Sequence, residues 1–184
     1  DDARLIATSH QQAIDQIEQN FRRENIQYDF QRLDGILFLS DKYGRHDLKN
    51  EIDALRDLGF DKVYMRDEPP SGAPRLGPCL IYPDQAQFHP LLYLRGLCQA
   101  IIRMGGKIFT ETHVGHEISR EGVTTSGGQR ISAGQVIVAT NSPINDRYKI
   151  HTKQAPYRSY VITAPVARQA LPRALYWDTG DGRG

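Results

Sequence analysis

Cysteine is scarce in this 184-residue chain: Cys79 and Cys98 fall in separate segments and form no CxxC or other metal-binding spacing. That usage points to a reducing, cytoplasmic setting. Long apolar runs are missing, and none approaches the ~20 residues that a bilayer crossing needs. An excess of one charge is missing as well. Lys plus Arg number 23 and Asp plus Glu 22, a net charge of +1, which argues against the concentrated basic face of a nucleic-acid or membrane surface. Asp1 and Asp2 open the chain without the basic and apolar character of a signal peptide. Nowhere does G-x-G-x-x-G occur, so the chain has no sequence signature for cradling a pyrophosphate at a helix N-terminus. Gly127-Gly128 and the Gly180 to Gly184 tail lack the preceding strand and following helix that such a cradle requires.

What is present reads as a soluble globular protein, with 39% hydrophobic and 24% charged residues, and the length allows one domain or two small ones. The organising stretch is Gln135-Val136-Ile137-Val138-Ala139-Thr140-Asn141, closed by Ser142-Pro143. β-Branched residues running into Ala-Thr-Asn and a proline predict a buried strand delivered into a tight turn. In an open α/β sheet ligands sit at the carboxyl ends of strands. Thr140 and Asn141 are therefore the first candidates to meet a ligand, and an ordinary core strand ending in an Asn-Ser-Pro turn is the plain alternative.

Upstream, Ile6, Ala13, Ile14, Ile17 and Phe21 recur at helical spacing and predict a long amphipathic helix from Asp1 to about Asn25. Its abrupt start is expected of a piece from inside a larger protein. Tyr28 to Ser40 reads as a strand or bent strand pair. Asp47 is the expected cap of a second helix with Leu48, Ile52, Leu55 and Leu58 on one face and Gly59 at its left-handed end. Lys62 to Arg66 and Cys79 to Tyr82 read as strands, separated by an irregular Pro69 to Pro78 loop. His89-Pro90 opens a third helix, with Leu91, Leu94, Leu97, Cys98, Ile101 and Ile102 as its expected buried stripe and Gly105-Gly106 as its end. Lys107 to Thr110 reads as a short strand. Gly122 to Thr125 and Arg130-Ile131 flank a hairpin turn at Ser126 to Gln129. Ala155 to Ala164 is β-rich, and Leu175-Tyr176-Trp177 begins a last strand.

Few side chains point to chemistry. His113 and His116, if on one strand, face opposite sides and cannot share a metal ion. His89 before a proline reads as a helix cap or as a group near a ligand. Arg158 and Tyr160 are the candidates for substrate binding, since an arginine clamps a carboxylate with two parallel hydrogen bonds; cross-strand pairing is the plain alternative.

Three stretches together resemble the D-amino acid oxidase family of FAD-dependent oxidoreductases: Asp84 to Leu97, Gly105-Gly106 through Thr112-His113-Val114, and Ile131 to Pro143. Arg32-Leu33-Asp34-Gly35 and Ala174-Leu175-Tyr176-Trp177-Asp178 resemble the bacterial members acting on amines or amino acids, some of them fused to a Rieske iron–sulfur domain. The likeness covers nearly the whole chain. It implies an α+β or α/β fold: an antiparallel substrate-domain sheet with helices, plus the second part of a Rossmann-like FAD-binding domain. It divides the chain into 1–27 (FAD-binding-domain helix), 28–90 (first part of the substrate domain), 91–150 (second part of the FAD-binding domain) and 151–184 (later, truncated substrate-domain strands). It implies FAD contacts at Val114, Ala139, Thr140 and Asn141, and a small-molecule amine or amino acid as substrate.

In such a design FAD performs the hydride chemistry and the protein positions the amine carbon and excludes water, so no catalytic base is expected. A middle segment lacking the Gly-rich unit is expected to bind FAD weakly or not at all and to be inactive alone, with a Rieske domain elsewhere in the parent chain. Two other readings compete. The disulfide-reductase flavoproteins normally carry a redox CxxxxC that Cys79 and Cys98 do not form. A stand-alone α/β module binding a ligand or protein without catalysis is the other.

Overall fold

In a computed structural model of the chain, residues 2–26, 30–70, 76–140, 158, 160–167 and 170–180 are described. The chain separates into two compact units, Asp1–Gly106 with Pro165–Gly184, and Lys107–Ala164.

The first unit opens with helix α1 (Asp2–Arg23), followed by strand β1 (Gln31–Phe38), helix α2 (Arg45–Asp57), strands β2 (Tyr64–Arg66) and β3 (Cys79–Gln87), and helix α3 (Pro90–Arg103). The predicted pieces of Tyr28 to Ser40 merge into the single strand β1. Strand β7 (Ala174–Asp178) completes a four-stranded sheet of order β2-β3-β1-β7. β1 and β2 run antiparallel to β3, and β7 lies parallel to β1. The mixed helices and open sheets give the α+β class that the sequence implies. The two subgroup-like motifs, around Arg32 and around Trp177, are thus neighbouring strands, with Asp34 opposite Ala174 and Phe38 opposite Asp178.

Alternation along the strands builds a core on each face of this sheet. Leu37 and Leu80, paired across β1 and β3, join Leu48 and Ile52 of α2 and Val63 in one buried cluster. Ile36 and Ile81, paired one position on, form the opposite cluster with Cys79. At roughly 1.5–3 kcal/mol for each fully buried aliphatic side chain, this contact decides whether α2 forms, since an isolated helix of 13 residues is marginal in water.

The three described helices end in the same way. Asn25 (φ 50°), Gly59 (φ 85°) and Gly105 (φ 87°) adopt left-handed backbone. The next N–H in each case bonds back across the last turn, Ile26 to the Phe21 carbonyl, Phe60 to Leu55 and Gly106 to Ile101, each at 2.9 Å. At the start of α2 the sequence expectation needs correction. Gly44, not Asp47, is the N-cap; Asp47 sits three residues in and its carboxylate accepts from the Gly44 N–H at 2.8 Å.

A second correction concerns α3. Its buried positions are Gly96 and Ala100, while Leu91, Leu94, Cys98, Ile101 and Ile102 are exposed. The helix turns its small residues inward because Ile26 occupies the space a side chain at Gly96 would need.

The second unit is a three-stranded antiparallel sheet, β4 (Val114–Ser119), β5 (Gly122–Thr125) and β6 (Arg130–Ser132). The hairpin turn lies where the sequence puts it, with Gly128 left-handed (φ 82°) and the Thr125 hydroxyl accepting from the Gln129 N–H at 3.1 Å. The strands expected at Lys107 to Thr110 and Gln135 to Ala139 are irregular chain, with Ile137 87% exposed. A strand exists only where a neighbour takes its N–H and C=O groups, and no described strand pairs with either stretch. The same holds for the described part of Ala155 to Ala164, where Tyr160 is 92% exposed; residues 155–157 and 159 lie outside the described residues. No described helix is long and apolar enough to cross a membrane.

Candidate functional site

An irregularity in β3 shapes the site. Between the pairs Leu33↔Gln85 and Gly35↔Tyr82 the strand carries an extra residue, a bulge built at Pro83 and Asp84. Proline has no N–H to lose from a ladder, and Asp84 takes a left-handed φ of 63°. Two cations hold the bulge: Arg32 Nη1 donates to the Asp84 carbonyl at 2.7 Å and Lys62 Nζ donates to its carboxylate at 2.7 Å. A bulge bends its strand and re-aims the residues beyond it. Here those residues are Gln85, Ala86, Gln87 and then Phe88-His89 at the entrance to α3.

The bend leads to a cleft of about 800 Å³ within the first unit, inside the range of small-molecule sites. Gln31 and Gln87, paired at the ends of β1 and β3, form one side, with Phe88 and His89 beside them. Arg173 and Tyr176, entering and within β7, form the other. Gln87 Nε2 and Arg173 Nη1 both donate to Gln31 Oε1 at 3.2 Å. The exposed Arg173 guanidinium has no carboxylate partner among the described residues, so it is available to an anionic group. His89 accepts from the Leu92 N–H through Nδ1 at 3.5 Å as the cap of α3, which leaves Nε2 for a ligand. Tyr176 donates its O–H to the Pro172 carbonyl at 3.0 Å; burial, with Cys79 nearby, pushes its pKa up and keeps the phenol protonated.

Phe88 is fixed from behind. Its ring packs edge-on to Phe21 at 5.9 Å and to Tyr93 at 5.4 Å, and Phe21 stacks on Tyr93 at 4.9 Å. Arg32 lies over Phe30 at 5.5 Å while its other nitrogens bond Glu18 at 2.8 Å and Asp15 at 2.5 Å. Burial lowers the Arg32 pKa less than these carboxylate bonds raise it, so this charge is permanent. The rigid wall of the cleft therefore depends on α1 being tied to β1 and β3.

The predicted site residues are placed as follows. Val114 begins β4, half-buried and paired with Thr125. Ala139 and Thr140 are exposed irregular chain; Asn141 lies outside the described residues. Arg158 and Tyr160 are exposed in the second unit, and the cleft is lined by the first unit alone. His113 precedes β4, and its backbone carbonyl accepts from the Ser126 N–H at 2.8 Å. No cluster of metal-ligating side chains occurs among the described residues. Sequence reasoning missed Gln31, Gln87, Arg173 and Tyr176. The available signal was the strand-to-helix junction at Gln87-Phe88-His89-Pro90, where a strand's carboxyl end meets a helix N-terminus.

The family described as FAD dependent oxidoreductase matches residues 2–183, and the chain belongs to that family. A Bacillus subtilis (strain 168) protein, YhfW, named for a Rieske 2Fe-2S iron-sulfur centre, is 29% identical over 178 residues, covering 95% of this chain and 34% of that protein. OrdL of Haemophilus influenzae (strain ATCC 51907 / DSM 11121 / KW20 / Rd), named as an oxidoreductase, is 24% identical over 172 residues, covering 87% of this chain and 40% of its own. L-proline dehydrogenase from P. horikoshii shares the fold with a TM-score of 0.50 at 15% identity, over 66% of this chain and 35% of that one. The chain therefore spans between a third and two fifths of these relatives.

The family's cofactor is FAD, and the described residues fit part of it. At both helix N-termini that follow a described strand a side chain takes one backbone amide. Asp47 takes the Gly44 N–H ahead of α2, while at α3 the His89 ring takes the Leu92 N–H and Pro90 has none to offer. Neither follows the Gly-rich turn of a pyrophosphate cradle, and the Asp47 carboxylate at one and Pro90 at the other weaken each as an anion site. The backbone of Gln135 to Ala139, by contrast, is engaged in no ladder among the described residues, so it suits the main-chain contacts that a flat base requires.

Proposed function

We propose that this chain is the middle segment of an FAD-dependent oxidoreductase that oxidises a C–N bond of an amine or amino acid by hydride transfer to the flavin. The observation carrying this reading is the cleft at the β1/β3 end, where Arg173, with no carboxylate partner among the described residues, two glutamine amides and a protonated Tyr176 surround a space the size of a metabolite. The flavin would accept the hydride. This chain's own groups would orient the substrate: the guanidinium takes a carboxylate, the Gln31 and Gln87 amides meet polar groups, and Phe88 excludes water.

In this reading the Val114 backbone contacts the adenine side of FAD, the Ala139-Thr140-Asn141 turn lies against the dinucleotide, and Arg158 and Tyr160 approach the substrate. Residues 1–27 and 91–150 serve the cofactor domain, and 28–90 and 151–184 the substrate domain. The parent acts in the cytoplasm, and the likeness to YhfW supports a Rieske domain elsewhere in the parent chain. Alone, the segment binds FAD weakly or not at all and has no oxidase activity.

A flavin titration of this chain beside a form extended at both ends tests the proposal. Quenching of flavin fluorescence by the extended form only, followed by amine-dependent bleaching of its yellow spectrum, is the expected result. Stoichiometric flavin on the segment overturns the fragment reading. If neither form binds flavin, the likeness is one of fold, and a non-catalytic binding module takes its place.

A further inference from the structure

A second cavity, of about 490 Å³, lies between α1, the end of α2 and β3 in the first unit, and nothing in the proposed reaction uses it. Its walls are apolar: Ile14 of α1, Leu55 and Leu58 of α2, then Phe60, Val63 and the ring of Tyr82. The Tyr82 phenol bonds Glu51 at 3.4 Å, and burial, reinforced by that carboxylate, raises its pKa, so no negative charge arises on this wall. The rim is polar. Thr8, Gln11 and Gln85 supply hydroxyl and amide groups. Arg4, His10, Lys62 and Asp61 supply the ionisable ones.

Charge decides what this shape accepts. Lys62 is committed to Asp84 at 2.7 Å. Arg4 has no carboxylate partner among the described residues, and its guanidinium hangs at the mouth, 3.7 Å from where a side chain on Gly59 would begin. Gly59 stands at the same mouth with a left-handed φ of 85°, which favours glycine. Arg4 and Asp61 both stand on the rim without an ion-pair partner among the described residues, so an apolar chamber of metabolite size offers Arg4 as the group for a molecule with a hydrocarbon body and one anionic end.

We propose that this cavity is a binding site for a small amphiphilic carboxylate, with the hydrocarbon body against Leu55, Leu58, Phe60 and Tyr82 and the carboxylate on Arg4. The site is separate from the Arg173 cleft and does not rest on the reading of that cleft.

Isothermal titration of the full chain with butanoate, hexanoate and octanoate, and with octanol, tests it. Each added methylene is expected to tighten binding about three- to fourfold, the burial of one CH₂ from water. Octanoate is expected to bind more tightly than octanol, and Arg4→Gln to erase that difference without changing the affinity for octanol. Arg4 is exposed on its helix, so the variant keeps the fold; unchanged circular dichroism confirms this. Arg173→Gln is expected to leave octanoate binding unaltered. Absence of octanoate binding, affinity independent of chain length, an unaltered Arg4→Gln, or loss of binding in Arg173→Gln each overturns the proposal.

Discussion

A methyl group on Gly35 would stand 2.6 Å from Cη2 and 2.7 Å from Cζ3 of Trp177. The indole lies across β1 at the one position without a side chain and reaches Tyr82 on β3, ring to ring at 5.5 Å. Three strands are thereby joined through one glycine.

Gly35→Ala is therefore expected to cost about 1–3 kcal/mol by overpacking, since a rigid ring cannot yield as a flexible chain end does. Urea unfolding measures the cost. Trp177 is the chain's single tryptophan, so its fluorescence reports this contact alone. In a Trp177→Leu background the penalty should shrink, and an equal penalty in both backgrounds would refute the contact.

Gly96→Ala should destabilise the protein even though alanine favours a helix by roughly 0.8–1 kcal/mol over glycine. The new Cβ would lie 2.6 Å from Cγ1 and Cγ2 of Ile26. Combining it with Ile26→Ala should restore stability toward that of Ile26→Ala alone. A stabilised Gly96→Ala single variant would show that the helix is free to move away.

Arg32→Lys should lower stability by about 1–3 kcal/mol, the range for hydrogen bonds to charged groups. An ammonium cannot meet Asp15, Glu18 and the Asp84 carbonyl in the planar fan that the guanidinium uses. Hydrogen exchange should rise at the α1 end and at the Pro83-Asp84 bulge together. Faster exchange in α1 alone would deny Arg32 its role in the bulge.

Asp84 adds a pH dependence. The Lys62 hydrogen bond and charge hold its carboxyl below the usual value, so its contribution is present above the unfolded pKa of about 3.9 and fades as pH falls through the lower folded value. Asparagine tolerates the same left-handed backbone, so Asp84→Asn isolates the charge. Its deficit in urea midpoint should be visible at pH 6 and shrink as pH falls below the usual carboxylate range; a deficit independent of pH would mean that the ion pair contributes nothing.

Under the proposed function, Arg173→Gln in the extended form should raise KM for a carboxylate-bearing amine at least tenfold and leave KM for the matching uncharged amine unchanged. Loss of one charge-assisted pair in a partly open cleft is about that size. Equal effects on both substrates would remove Arg173 from carboxylate recognition.

Much of the local architecture was written in the chain. Apolar spacing located α1, α2 and α3; Gly59 and Gly105-Gly106 marked two helix ends; and Ser126 to Gln129 marked a hairpin. These signals depend on a residue's own backbone preference or on neighbours within one turn, so they survive without tertiary information. Asp47 was recognised as an end-of-helix residue but displaced by three positions, because the same carboxylate bonds an N–H from either place.

Which face of an element meets the core was another matter. The α3 stripe of Leu91, Leu94, Ile101 and Ile102 has the larger apolar area, yet Gly96 and Ala100 are the buried positions, because Ile26 arrives from 70 residues earlier to fill the gap that glycine leaves. The run Val136-Ile137-Val138 has every preference of a strand and no described partner to pair with. The cleft draws Gln31 and Arg173 to a shared hydrogen bond across 142 positions of sequence. By itself the sequence determined where the chain turns, coils and caps, since those energies are local. Pairing, facing and the meeting of Gln31, Gln87 and Arg173 were decided only in the tertiary structure, because burial and ladder hydrogen bonds take their free energy from partners that no local window contains.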